Sequence, residues 1–384
     1  MQRLRVAIAG FGIAGGALAT LLARAGHAVT LFEQAAKLGP VGAGFLLQPS
    51  GQRVLSHLGL LSPVVRQAEP ISGLRAFTHR GGKLIELGYP DGEFAYGVRR
   101  SLVFEALADA AREAGARIEL SRRIVGWQEG PDAVVALDGE GALRESFDLL
   151  IAADGSRSVL RDQVAPGEGG HDDPYGALWT VGTSDQVRGY LYQVTRDTRR
   201  LSGLLPLGEG GCNFFWGLAG RDWEELRRRP FAAFRDAVLR LNPMAEAILD
   251  QRDDWSAYAF GTYRHCRPRT IHRGRVVLVG DAAHATTPHL GQGANLALLD
   301  AASLARALEE SSDLPSALAR HASERRSQAR YYGQLSSLLS PFFQSDWIPL
   351  GWARDLGLDA LSRVGPVRRR MERTLAGDAQ GWFS

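Results

Sequence analysis

Leu4-Arg5-Val6-Ala7-Ile8-Ala9-Gly10-Phe11-Gly12-Ile13-Ala14-Gly15 runs from an apolar strand pattern straight into a GxGxxG. The following stretch, Gly16 to Ala25, is rich in Ala and Leu, and Gly26 ends it, which reads as a helix. His27-Ala28-Val29-Thr30-Leu31-Phe32 reads as a second strand and stops at Glu33. In that setting each residue has a physical role. Gly10 permits the tight turn, Gly12 lets backbone approach a pyrophosphate, and Gly15 lets helix pack closely on strand. Ile13 and Ala14 open the helix, whose free N–H groups favour an anion. Glu33 can accept hydrogen bonds from ribose hydroxyls. Its charge would repel a 2′-phosphate, so the tightly bound ligand is expected to be FAD or NAD rather than NADP.

A second strand-to-helix turn lies far along the chain, at Gly280-Asp281-Ala282-Ala283-His284-Ala285-Thr286-Thr287-Pro288-His289-Leu290-Gly291-Gln292-Gly293-Ala294-Asn295. Arg275-Val276-Val277-Leu278-Val279 before it reads as a buried strand, and Ala294 to Leu308 after it reads as a helix. The turn offers bare N–H groups at a helix start, where negative charge is favoured. Asp281, just past the strand end, can accept hydrogen bonds from ligand hydroxyls. A polyol beside a group that becomes anionic suits both features. Reduced flavin, with its ribityl chain and N1–C2=O edge, is such a ligand.

Phe147 to Ala153 forms a third apolar strand, ending at Asp154-Gly155 and running into Ser156-Arg157-Ser158-Val159-Leu160-Arg161, a helix start. Strand ends of this kind mark the carboxyl edge of an open sheet, where ligands bind. Lys37 to Pro49 is glycine-rich, either a connector or a loop whose backbone can approach a flat ring. Leu74 to Thr78 and Leu84 to Leu87 flank Gly81-Gly82 as a hairpin. Arg99-Arg100 precedes a helix from Ser101 to Ala114. From Tyr175 to Phe260 the pattern turns to antiparallel strands carrying Trp179, Tyr190, Tyr192, Phe214, Phe215 and Trp216, interrupted by amphipathic helix over Arg221 to Asp250. Beyond Leu308 the chain reads as helical and then irregular. Its apolar stretch Leu335 to Gly357 could cap a substrate channel, touch a membrane surface or bury a dimer interface, with a covering segment as the default.

The 384 residues exceed what one core usually holds. A hydrophobic content of 45% with 23% charged residues is that of a globular protein. The net charge of +3 comes almost wholly from arginine, with acids interleaved, so nucleic acid is not an expected partner. Two distant cysteines, Cys212 and Cys266, give no disulfide framework, which fits a reducing cytoplasm. The histidines show no metal-ligand spacing, and no uninterrupted apolar run is long enough for a transmembrane segment.

The three turns in this order resemble those of the single-component FAD-dependent aromatic hydroxylases, group A flavoprotein monooxygenases of the para-hydroxybenzoate hydroxylase fold. The resemblance implies an α/β chain: an FAD-binding, Rossmann-like parallel-sheet domain with an inserted, mostly antiparallel substrate domain and C-terminal helices. The expected boundaries are 1–70, 100–172 and 265–310 for FAD, 71–99 and 173–264 for substrate, and 311–384 for the helical cap. It implies that Asp154 and Gly155 lie near the pyrophosphate and serve both FAD and NAD(P)H. It implies that Gly280 and Asp281 hold the ribityl chain, that Pro288 packs near the flavin, and that Gly291, Gly293, Ala294 and Asn295 face its pyrimidine edge. Arg100, with Val103 and Leu107 after it, fits the family's arginine before a helix, and Gly42-Ala43-Gly44 fits the loop beside the isoalloxazine.

The chemistry so implied is hydroxylation of a small phenolic or polycyclic aromatic. NADPH or NADH, binding transiently, reduces non-covalent FAD, O2 adds at the flavin C4a, and the hydroperoxide transfers its distal oxygen. No metal is needed. His289 and Tyr192 are the candidate bases for deprotonating a phenol. The rivals are a flavin dehydrogenase or reductase of a similar substrate and a redox-silent FAD- or NAD-binding protein. A monomer or homodimer is expected.

Overall fold

The computed structural model describes residues 2–39 and 42–382. Pro40 and Val41 of the glycine-rich loop lie outside the described residues, as do Met1, Phe383 and Ser384.

Arg5–Ala9 is central in a six-stranded sheet. The order is His272–Arg273, Val276–Leu278, Leu149–Ala152, Arg5–Ala9, Ala28–Phe32 and Arg117–Glu119. All neighbours are parallel except the edge strand His272–Arg273. Both faces are covered, which is why these strands read as unbroken apolar runs rather than alternating ones. Val6, Ile8, Leu31, Leu149 and Ile151 meet the helices Ile13–Arg24, Arg100–Glu113 and Gly293–Glu310. Ala7, Ala9, Leu150, Ala152 and Leu278 point the other way, onto a core shared with Val134 and Ala136 of a small antiparallel sheet. The parallel strands therefore end at one edge, where Gly10, Glu33, Asp154 and Gly280 follow them.

A seven-stranded sheet forms the second layer, in the order Ala259–His265, His171–Thr183, Gly211–Ala219, Arg200–Gly208, Tyr190–Arg196, Gly73–Thr78, Lys83–Gly88. Only Tyr190–Arg196 against Gly73–Thr78 is parallel. Period-2 alternation splits its residues between two faces. Leu178, Leu204, Phe214 and Trp216 pack outward on the helices Phe231–Leu241 and Glu246–Gln251. Leu191, Leu205 and Leu207 pack inward on Leu46, Ile71 and Ala95. Those three belong to a short sheet of Gly44–Leu47, Ala95–Arg99 and Glu69–Ile71, which joins the two large layers.

The chain beyond Leu308 is more regular than its prolines suggest. It forms Leu314–Phe343, Ile348–Ser362 and Gly365–Ala376, all helices, where the sequence had pointed to irregular structure. Pro349 falls in the first turn of the second, where no helical N–H is required, while Pro341 falls in the last turn of the first and removes one N–H bond just before that helix ends. Leu358, Met371 and Leu375 cover the inner face of the seven-stranded sheet around Ala76 and Leu87. After Asp154, in contrast, the expected helix start is a turn. Gly155 has φ +82°, Ser158 N–H donates to Gly155 O (3.0 Å), and helix begins only at Arg161.

Candidate active site

The first turn has the geometry its glycines demand. Gly10 has φ +101°, and a Cβ there would lie 2.5 Å from Ala153 O. A Cβ on Gly15 would lie 2.1 Å from Gly10 O, so only glycine lets this helix approach its strand. A Cβ on Gly12 would meet nothing within 4 Å, and no side chain caps the helix that Ile13 and Ala14 open. Open space in front of uncapped N–H groups fits a pyrophosphate. Glu33 is fixed beside it. Phe11 N–H donates to Glu33 Oε2 (2.8 Å) and Ala35 N–H to Oε1 (2.9 Å), which leaves acceptor capacity on both oxygens. At the third strand end Val159 N–H donates to Asp154 Oδ2 (3.1 Å), while the buried Oδ1 has no partner among the described residues. Burial outweighs these bonds and raises the Asp154 carboxyl above its ordinary value.

The turn at Gly280-Asp281 rests on a buried ionic network. Gly280 has φ +60°, and its N–H donates to Asp300 Oδ2 (2.7 Å). His284 Nε2 lies 2.6 Å from the same oxygen, and Arg325 Nε donates to Asp300 Oδ1 (2.6 Å). Burial works against the Asp300 charge, but His284 and Arg325 hold this carboxyl far below the usual carboxylate range. Burial likewise opposes a charged His284, and Asp300 outweighs it, so His284 sits above its ordinary value. A second buried cation, Arg161, donates to Ala282 O (3.2 Å) and Ser156 O (2.8 Å) and ties the second turn to the third. The sequence reading missed Asp300, Arg325 and Arg161. Their signal, a charged residue at an apolar helix position, is visible only once the burial is known.

Above this network stands the exposed carboxylate of Asp281, in the first turn of the short helix Asp281–His284. Its Oδ1 would lie 3.8 Å from a Cβ on Gly293, in ordinary contact, so this carboxylate stands at the start of the Gly293–Glu310 helix. No side chain caps that helix either. Arg100 comes from the opposite side. Its backbone N–H donates to Ala43 O (3.0 Å), its Nε lies 3.4 Å from a Cβ built on Gly42, and that buried Nε has no partner among the described residues. Burial lowers the guanidinium from its ordinary value, with Asp281 opposing. A buried donor facing open glycine fits an anionic, hydroxyl-bearing cofactor.

Asn295 acts through its side chain as a staple. Its Nδ2 donates to Leu46 O (3.0 Å) and Gly291 O (3.1 Å), and Gln48 N–H donates to its Oδ1 (2.9 Å). This clamps the strand Gly44–Leu47 to the turn Pro288–Gly291. A second role belongs to Gly44, where a Cβ would strike Leu207 at 2.4 Å, so close packing of the sheets requires glycine. Gln48, not anticipated from sequence, accepts from Tyr89 Oη (2.6 Å) and keeps its buried Nε2 unpartnered beside Gly291.

Aromatic rings line the inner face of the seven-stranded sheet, and Tyr263 brings that face to this turn. The Trp179 ring lies over Gly261 and the Phe215 ring over Gly203. Tyr263 and Phe343 stand 6.3 and 5.7 Å from the His289 ring. All five aromatic side chains are only partly buried. Among the described residues His289 Nε2 has no partner, and burial pushes the imidazole down to about 4, so it is neutral at pH 7. Tyr192 does not belong here. It points to the outer face, packs on the helix-covered core and sits 5.4 Å from Phe77, because alternate residues of one strand face opposite sides. Its candidacy as a base is thereby corrected.

The family described as FAD binding domain matches residues 3–332. The chain belongs to that family. It is an FAD-dependent monooxygenase of the aromatic-hydroxylase kind. Over 347 residues it is 30% identical to an aurachin C monooxygenase/isomerase of Stigmatella aurantiaca, covering 85% of this chain and 86% of that one. Over 344 residues it is 32% identical to a 3-amino-4-hydroxybenzoate 2-monooxygenase of Streptomyces cremeus, covering 80% and 79%. The fold of this FAD-dependent monooxygenase matches that of Klebsiella pneumoniae HpxO, solved with FAD and uric acid, with a TM-score of 0.81 at 21% identity over 97% of each chain.

Proposed function

We propose that this monooxygenase hydroxylates a small phenolic or polycyclic aromatic, held in the ring-lined cleft between the Pro288–Gly291 turn and the inner sheet face. The observation that carries this reading is the set of half-exposed rings, Trp179, Phe215, Tyr263, Phe343 and His289, beside the turn that would face the flavin edge. Flat apolar walls with few polar groups suit an aromatic ring and exclude water. The Streptomyces relative is named for a hydroxybenzoate, which supports a phenolic ring as substrate.

Bound FAD, reduced by NADPH or NADH, supplies activated oxygen. The protein's share is to bind, orient and exclude. Gly12 with the helix start at Ile13 and Ala14 would hold the pyrophosphate, Glu33 the ribose, and Asp281 with Arg100 the ribityl segment. Gly42, Ala43, Gly155, Pro288, Gly291, Gly293 and Ala294 would shape the walls around the cofactor. Asp154, beside them, would serve FAD and the nicotinamide reductant in turn. Neutral His289 would accept a hydrogen bond from a substrate hydroxyl at Nε2 and so orient the ring, its low affinity for a proton making it a positioning group rather than a strong base. We place the enzyme in the cytoplasm, as a monomer or homodimer.

Turnover of a phenol panel under labelled O2 tests this. One labelled oxygen in the product supports hydroxylation. Unlabelled, dehydrogenated product would establish the dehydrogenase reading instead.

A further inference from the structure

Ile348–Ser362 is a helix turned inside out. Every exposed side chain from Trp347 to Leu361 is apolar. Trp347 is 63% exposed, Trp352 64% and Leu356 84%. Trp352, Leu356 and Ala360 repeat every fourth residue, so they share one face. Among the polar residues, Arg354 and Ser362 point inward, and Asp355 and Asp359 are partly exposed, each in an ion pair. Arg354 is buried, donates to Phe342 O (2.7 Å) and Thr195 Oγ1 (3.1 Å), and pairs with Asp355 (2.6 Å). Ser362 is buried as well. A helix facing water places its apolar residues the other way round. A face built like this is made to be covered.

We propose that this face docks on the surface of a lipid bilayer bearing anionic headgroups. Exposed tryptophans beside Leu and Ala suit the boundary between headgroups and acyl chains. The flanking charge complements such a surface. Exposed Arg196 and Arg199 lie on the turn that packs against Gly351, near the helix start, where Arg199 pairs with Asp346, an acid it shares with Arg221. Arg363, Arg369 and Arg373 are exposed beyond its end. From Trp347 to Ala376 there are six arginines against three acids. Asp359, an acid near the stripe, is paired with Arg363. Among the described residues no helix is long and apolar enough to cross a membrane, so the contact is with one leaflet.

A second copy of the chain fits less well. A 15-residue helix is about 22 Å long and presents a stripe roughly 10 Å wide. That is several-fold short of the ~800 Å² per partner that a stable dimer buries. The stripe also offers no hydrogen-bonding side chain except the two indole N–H groups, whereas dimer interfaces carry several. The inward side of this helix lies next to the rings, because buried Arg354 lies 5.3 Å from the Phe343 ring, which packs on His289. If the cleft takes an aromatic substrate, as proposed above, a lipophilic one would have a short path from the bilayer.

The test needs no turnover. Holoenzyme is sedimented with phosphatidylcholine vesicles containing phosphatidylglycerol, and with phosphatidylcholine alone. We expect co-sedimentation with the anionic vesicles, weaker binding to the neutral ones, release by high salt, and a blue shift of tryptophan emission on binding. Leu356→Glu and Trp352→Glu should each lower the partition coefficient about tenfold or more. Both should keep the FAD content and lipid-free activity of the wild type, since neither side chain packs in the core. Holoenzyme that stays in the supernatant with both vesicles overturns the proposal. So does vesicle binding unchanged in both variants, and so does a dimer in light scattering that Leu356→Glu splits, which would make the face a self-interface.

Discussion

Asp300 Oδ2 accepts the backbone N–H of Gly280 at 2.7 Å, so a carboxylate in the middle of one helix holds the peptide that turns the chain toward the cofactor. The same side chain carries His284 and Arg325. Asp300→Ala would leave a guanidinium and an imidazole buried without their anion. Breaking a buried pair from one side costs about 3–5 kcal/mol. The expected outcome is a lower thermal midpoint and faster loss of flavin on dilution. Asp300→Asn keeps the shape and one acceptor and should lose less of both. Melting curves with flavin-release kinetics check the order wild type, Asn, Ala.

Glu33 is held by two backbone N–H groups, one from Phe11 inside the glycine turn. Glu33→Arg replaces an acceptor for ribose with a cation and strands both donors. FAD affinity should fall by roughly tenfold or more, given about 1.5–3 kcal/mol for a hydrogen bond to a charged group. Titration of apoprotein with FAD, followed by flavin fluorescence, reads this directly. Unchanged affinity would remove Glu33 from the ribose site.

His289 gives a pH dependence with a definite sign. Its folded-state value of about 4 lies below the ordinary 6.5, so the unfolded chain binds the proton more readily. Stability is therefore highest above the unfolded value and is lost as pH falls from about 6.5 toward 4. The loss is at most roughly 3–4 kcal/mol, and partial solvent access to the ring makes it smaller. His321, pushed to about 4 by burial, adds a similar trend. The informative quantity is thus the difference between wild type and His289→Phe in urea unfolding at pH 7 and pH 5. The variant should lose less stability across that interval.

Much of this fold was legible because its signals are local. The strand-glycine-helix-strand-Glu33 order fixes one βαβ unit, and Asp154 and Gly280 each end a parallel strand at the same edge. What was not legible depends on which way a side chain points. Tyr192 and Phe215 are both aromatic residues in strands of one sheet, yet the first faces a helix-covered core and the second the cleft. Strand register, fixed only by pairing such as Trp179 with Phe215, decides between them. The buried charges Arg161, Asp300 and Arg325 read as ordinary solvated helix residues until their partners from distant segments are known. The tail misled in the opposite sense, since Pro349 opens a helix, where no N–H is required, and Pro341 falls in a last turn, where the one bond it removes comes just before the helix ends.

Gly203 and Phe215 are paired across adjacent strands, and a Cβ on Gly203 would lie 2.1 Å from Phe215 Cζ. The ring therefore lies flat on the sheet only because residue 203 is glycine. Gly203→Ala forces the ring off the strand and into the cleft, since the sheet backbone beneath it is held by pairs on both sides. Overpacking of this kind typically costs about 1–3 kcal/mol, so the protein should still fold. The cofactor site is built from other elements, and FAD content should match the wild type. Substrate binding should not. A larger KM is expected, most marked for polycyclic substrates, along with NAD(P)H oxidation that yields less hydroxylated product because the ring is poorly seated and water is less well excluded. Phe215→Leu in the Gly203→Ala background removes the clash and should restore part of the lost affinity. Steady-state kinetics with product mass for the single and double variants decide the matter. An unchanged KM in Gly203→Ala would place the substrate elsewhere than on this face of the sheet.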